Sequence, residues 1–110
     1  MNIEELLVEF RTTFEAYSKS KAHLTYLEEY KKAKLAILMK MALAKGVQTA
    51  AGQEREAYAS AEYSKLLETI RDATEEETRD KFMLRKIEME IEVWRTIQAN
   101  ERMERQAYGA

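Results

Sequence analysis

A chain of 110 residues, 45% hydrophobic and 35% charged, has room for one domain and the composition of a folded, soluble, helix-rich protein. Its formal net charge of -2 brings no general attraction to polyanions, and the lack of cysteine excludes a disulfide frame, a thiolate zinc site and a thiol nucleophile. No apolar run approaches the roughly 20 residues of a membrane span, and acidic Glu4 and Glu5 follow Met1 where a basic leader would stand, so the expectation is a cytoplasmic protein with no membrane partner.

Proline is absent, and the glycines stand only at Gly46, Gly52 and Gly109. With two of them bracketing one short stretch, the chain should be two long helical arms joined near the middle. Asn2 is placed to cap a helix from Ile3, with Glu5 reaching back as in a capping box. Apolar residues then recur as Ile3, Leu7, Phe10, Phe14, Tyr17, Leu24, Leu35, Leu38 and Ala42, in alternating steps of four and three. Lys21, Glu28 and Lys31 occupy the missing positions of that seam. Gly46 suits the left-handed position that ends a helix, with Val47 placed for the accompanying hydrophobic contact. Thr49 can cap a short helix through Ala59, although Gly52 weakens the signal, and Ser60 can cap the next, although nothing in the sequence forces a break there.

The second arm repeats as Leu66, Ile70, Ala73, Glu77, Asp80, Leu84, Ile87, Ile91, Trp94 and Gln98, and should continue to about Arg105. The expected fold is a single all-α domain over residues 1–110, a long antiparallel, coiled-coil-like helical hairpin. Its helices cover about 3–45 and 61–105, with a short helix in the joint at about 46–60, and each arm is about 65 Å long at 1.5 Å per residue. Folding the arms back brings Lys31 near Glu75 and Glu77, and the aromatic run Phe10, Phe14 and Tyr17 near Met89, Val93, Trp94 and Ile97. Residues 11 to 46 carry eight Lys or Arg against three Glu, and residues 61 to 80 three against seven acids, so the arms attract. Within the arms Glu28 with Lys32, Glu75 with Arg79, Glu77 with Lys81 and Glu101 with Arg105 have the spacing of surface ion pairs.

One seam leaves apolar residues over. Besides Leu6 they are Tyr26, Leu27, Tyr30, Ile37 and Met41 on the first arm, and Leu67, Phe82, Met83, Val93 and Ile97 on the second. A two-helix hairpin exposing these would be marginal and sticky, so they form a candidate interface. The expectation is burial against a second copy, an antiparallel homodimer with a four-helix core. The competing reading makes the stripe a docking face for a different protein.

Chemistry is sparse. Trp94 falls on the repeat of Ile87 and Ile91 and reads as a core anchor rather than a recognition residue. Arg95, Arg102 and Arg105 could form a basic strip, but Glu101 and Glu104 dilute it. His23 is the only histidine and no Glu-x-x-His arrangement exists, so no metal is expected. Glu75, Glu76 and Glu77 read as a solvated face, and Glu88, Glu90 and Glu92 alternate around the helix. No nucleophile with its base, and no glycine-rich phosphate loop, stands at a recognisable spacing, so neither enzyme activity nor a cofactor is expected. Lys31, Lys32, Lys34, Lys40 and Lys45, with Tyr26 and Tyr30 upstream, combine phosphate-binding charge and stacking surface as a nucleic-acid contact. The facing acidic arm would cancel much of that field.

The stretch "KGVQTAAGQEREAYASAEYSKLLETIRDA", together with "IEVWRTIQANERMERQAYGA", resembles a group of small helical early-region proteins of tailed bacteriophages and prophages. The likeness runs from about Lys45 onward and rests on the Gly-x-x-Thr joint, the Gln-Glu-Arg-Glu-Ala-Tyr helix and the Glu-Val-Trp-Arg segment. It implies a viral protein in the host cytoplasm, sometimes encoded near recombination genes, and assigns no catalytic or binding residue. The function expected is that of a noncatalytic accessory acting by protein–protein interaction on a recombination, replication or host-defence protein. The alternatives are a recombination accessory that binds single-stranded DNA and a helical structural component of the virion.

Overall fold

The Asn2 side chain opens the chain's first helix by accepting from the backbone N–H of Glu4 at 2.9 Å and of Glu5 at 3.4 Å. Two donors left over by the first turn are thereby satisfied, and acidic Glu4 and Glu5 face the positive end of the helix dipole. The computed structural model describes residues 2–108. Three α-helices carry these residues: α1 (Ile3–Ala44), α2 (Ala50–Ala59) and α3 (Ala61–Tyr108), with no strand among them. The long helices α1 and α3 pack as a hairpin with α2 at the joint, as the sequence predicts, and α3 runs on past the expected end near Arg105. No helix among the described residues is long and apolar enough to cross a membrane.

The joint is built from caps. Gly46, with φ of 104°, donates to the Leu43 carbonyl at 3.0 Å, while the Val47 N–H reaches back to Ala42 at 3.0 Å. This pair of backward bonds is the Schellman ending that glycine in a left-handed conformation permits. Thr49 then caps α2, its hydroxyl oxygen accepting from the Gly52 N–H at 3.1 Å, and the Gln53 side-chain amide donates to the Val47 carbonyl at 3.0 Å. Gly52, a poor helix former by sequence, suits this place because a Cβ there would press on the Thr49 and Val47 side chains. The break at Ser60 is also real. Its backbone is extended, its hydroxyl donates to the Ala57 carbonyl at 2.7 Å, and the same oxygen accepts from the Tyr63 N–H at 3.2 Å. One side chain therefore closes α2 and opens α3.

The chain divides into two compact units, to both of which α1 and α3 contribute. In the unit formed by residues 20–77, Leu38, Ala57 and Tyr63 bury together beside Leu35 and Met39, and Leu27, Leu66 and Ala73 bury beside Leu24, Tyr30 and Ile70. The Tyr58 ring adds an edge-on contact to Tyr63, centroids 5.2 Å apart. In the unit formed by residues 2–19 and 78–108, Leu6, Leu84 and Ile87 are the buried apolar side chains. Among the described residues no large side chain is wholly buried, which marks a thin core.

The α3 seam follows its expected repeat, each residue from Leu66 to Gln98 in that series being buried or half-buried. The α1 seam follows its repeat at alternate positions, Ile3, Phe10, Tyr17, Leu24, Lys31 and Leu38 being buried or half-buried, and departs from it between them. Leu7 and Phe14, expected inside, are about half exposed, and Lys21 and Glu28 are exposed. Leu6, Thr13, Ser20, Leu27 and Lys34 take those intervening inner positions instead, and at Leu35 and Ala42 the expected residues are inside again. Ser20 is 6% exposed and Thr13 half-buried, and a hydrophobic pattern does not register such short polar side chains on the inner side. Lys32 likewise pairs with Glu29 at 3.3 Å rather than with Glu28.

Candidate functional site

In the unit formed by residues 20–77, Tyr26, Ile37 and Met41 are exposed, and their spacing of eleven and four residues puts them on one face of α1. Tyr30 joins that face only half-exposed, because its ring also packs on the core of Leu27, Leu66 and Ala73. The rings of Tyr26 and Tyr30 stack with centroids 6.0 Å apart. Leu67 is exposed on α3. Leu27 leaves the candidate interface: at 7% exposure it is a core residue of the hairpin itself, since it occupies the inner position that the sequence reading gave to Glu28.

The unit formed by residues 2–19 and 78–108 exposes Phe82, Met83, Val93 and Ile97, all expected on the surface stripe. It also exposes Leu7 and Phe14, expected on the α1 seam, and Met89, expected near the aromatic run. Phe10 stacks on Phe14 with centroids 6.2 Å apart. An open groove of about 820 Å³ runs past Leu7 and Phe10 of α1 and Met89, Ile91 and Val93 of α3, with Arg95 at its edge. Phe10, Met89 and Val93 thus come together as expected. A second, shallower groove of about 430 Å³ lies along α3 alone, between Phe82 and Val93.

The lysines do not converge. At 100° per residue Lys31, Lys32, Lys34 and Lys40 spread around α1, and Lys45 lies beyond its end. Lys31 and Lys34 stand half-buried at inner positions. Lys32 is engaged by Glu29. Trp94 is half-buried on the α3 seam beside Ile87 and Ile91, the place of a packing anchor, and Arg95 is bonded to Glu92 at 2.9 Å. His23 is exposed, and no group of three or more His, Asp or Glu among the described residues could hold a metal ion.

Burial, then the Glu54 carboxylate that accepts its hydrogen bond, then Tyr63 push the Tyr58 hydroxyl above the usual 10.0. The ring is about half exposed, so the burial is partial. No protein-family model matches the chain, and neither a curated protein nor a solved structure does.

Proposed function

We propose that this chain is a noncatalytic interaction protein that docks its α1 face on another protein and does so as a dimer. The observation that supports the reading is the exposed stripe of Tyr26, Ile37 and Met41 on a helix whose adjoining side has already buried Leu27 and Leu38. Tyrosine, methionine and isoleucine set along one helix face suit the apolar side of a partner helix, which would read them at helical spacing. The likeness of the region after Lys45 to phage early-region proteins suggests a partner among recombination, replication or host-defence proteins.

Tagged protein should capture one protein in stoichiometric amount from bacterial lysate, with nuclease present. Tyr26→Glu combined with Ile37→Glu should keep its helical circular dichroism and lose that capture. Capture that vanishes with nuclease would replace the reading with single-stranded DNA binding, and its salt dependence would then be steep. Assembly beyond a dimer with rising concentration would favour a virion structural role.

A further inference from the structure

We infer that the outer face of α3 between Phe82 and Val93 pairs with the same face of a second copy, antiparallel and across a two-fold axis. This deepens the dimeric part of the function proposed above and rests on it. Leu84, Ile87 and Ile91 turn one side of α3 inward, so Phe82, Met89 and Val93, each more than half exposed, form a ridge on a helix whose core side is already used. The ridge lines the shallow groove along α3, with Arg85, Lys86 and Glu90 as its charged members.

What selects a second copy is that this face reads the same in both directions. Reversed about a point between Ile87 and Glu88, Phe82 falls on Val93, Arg85 on Glu90 and Lys86 on Met89. A two-fold interface demands that kind of self-complementarity, because each contact occurs twice with the partners exchanged. Phe82 of each chain would meet Val93 of the other, and Arg85 of each would meet Glu90 of the other. Among the described residues no ion pair engages Arg85, whereas Glu90 holds Lys86 at a long 3.8 Å and has acceptor capacity left for a guanidinium. Lys86 can then lie with its stem along Met89 of the other copy while its ammonium stays on its own Glu90. No like charges meet within the six positions. A thin core that lacks any wholly buried large side chain gives the association a reason, since pairing would cover three apolar residues per chain.

Charge reversal tests the pairing. Sedimentation of the full chain should show a dimer. Arg85→Glu alone, or Glu90→Arg alone, should raise its dissociation constant at least about tenfold by opposing like charges. Combining the two should restore much of the dimerisation, because the contacts between positions 85 and 90 reform with signs exchanged, while Lys86 loses only its long, exposed pair within the chain. Helical circular dichroism should be unchanged in all three, which separates lost pairing from lost folding. The chain has no cysteine of its own. Mixing a Phe82→Cys chain with a Val93→Cys chain should therefore give a disulfide-linked heterodimer on oxidation, faster than either alone. A monomer at every concentration would overturn the inference, and so would a dimer indifferent to the single changes or not rescued by the double one. A monomer that still captures its protein partner through Tyr26 and Ile37 would sink the pairing and leave docking standing. A charge-swapped dimer that captures nothing would uphold the pairing while docking fails.

Discussion

The backbone N–H of Gly52 donates to the Thr49 hydroxyl oxygen at 3.1 Å, and a Cβ on that glycine would stand only 2.8 Å from the same oxygen and 2.9 Å from Cγ1 of Val47. Alanine is ordinarily better than glycine inside a helix by about 1 kcal/mol. Here it would have to turn the Thr49 hydroxyl away, losing a cap worth about 1 kcal/mol, and also displace Val47, whose N–H and carbonyl are both bonded. Gly52→Ala should therefore fail to stabilise, and should lower stability by up to about 1 kcal/mol in urea unfolding. In a Thr49→Ala background, where the hydroxyl is gone, the same change should be milder. Purely additive effects would show that the two positions are not coupled through the cap.

Gly46 is needed for a different reason. Its φ of 104° is one that L side chains rarely adopt, yet an added Cβ would meet nothing within 4 Å. The cost of Gly46→Ala is then backbone strain alone, about 1–2 kcal/mol. D-Alanine placed there by chemical ligation should restore or exceed the native melting temperature, since positive φ is its preferred region. An L-alanine variant as stable as the native chain would mean that α1 can end without the left-handed turn.

Leu6 and Leu7 are adjacent and chemically identical, but the first is 6% exposed and the second 51%. Leu6→Ala should cost about 2 kcal/mol, the low end for a buried leucine because it lies in the first turn of α1, whereas Leu7→Ala should cost under about 1 kcal/mol. Equal losses, measured by thermal unfolding, would place the seam of α1 in the phase suggested by its hydrophobic pattern.

That contrast shows where the sequence was legible. On α3 the inner positions are marked by Leu66, Ile70, Leu84, Ile87 and Ile91, strong enough to carry the phase across Glu77 and Asp80, and the whole seam could be read. The caps at Asn2, Gly46 and Thr49 were readable too, since each is a local residue preference that the structure uses. On α1 the inner positions include Thr13, Ser20 and Lys34, while Leu7 and Phe14 lie on the outer side. A hydrophobic template follows the larger apolar residues and slips by one position. The slip moved Leu27 out of the core and Leu7 and Phe14 into it, which is why the exposed surface was assigned correctly for Tyr26, Ile37 and Phe82 but not for these three. Met89 gave a different signal. It sits on the solvent side of α3 beside Phe82 and Val93, and the spacing of those three could have placed it there.

Tyr58 gives the chain a response to alkali. Its ring lies edge-on to Tyr63, and its hydroxyl, pushed up first by partial burial and then by Glu54, holds its proton beyond the usual 10.0. A folded value above the unfolded one means that the contribution to stability is fully present below about pH 10 and is lost as pH rises through the folded value, because only the unfolded chain ionises freely in between. Ultraviolet titration of the six tyrosines should therefore show a late component in the native protein that merges with the rest in denaturant. Tyr58→Phe should remove that component. Glu54→Gln should move it earlier without abolishing it, since the burial remains when the carboxylate charge is gone. A native titration in which all the tyrosines ionise together would show that Glu54 and Tyr63 do not hold Tyr58 as described.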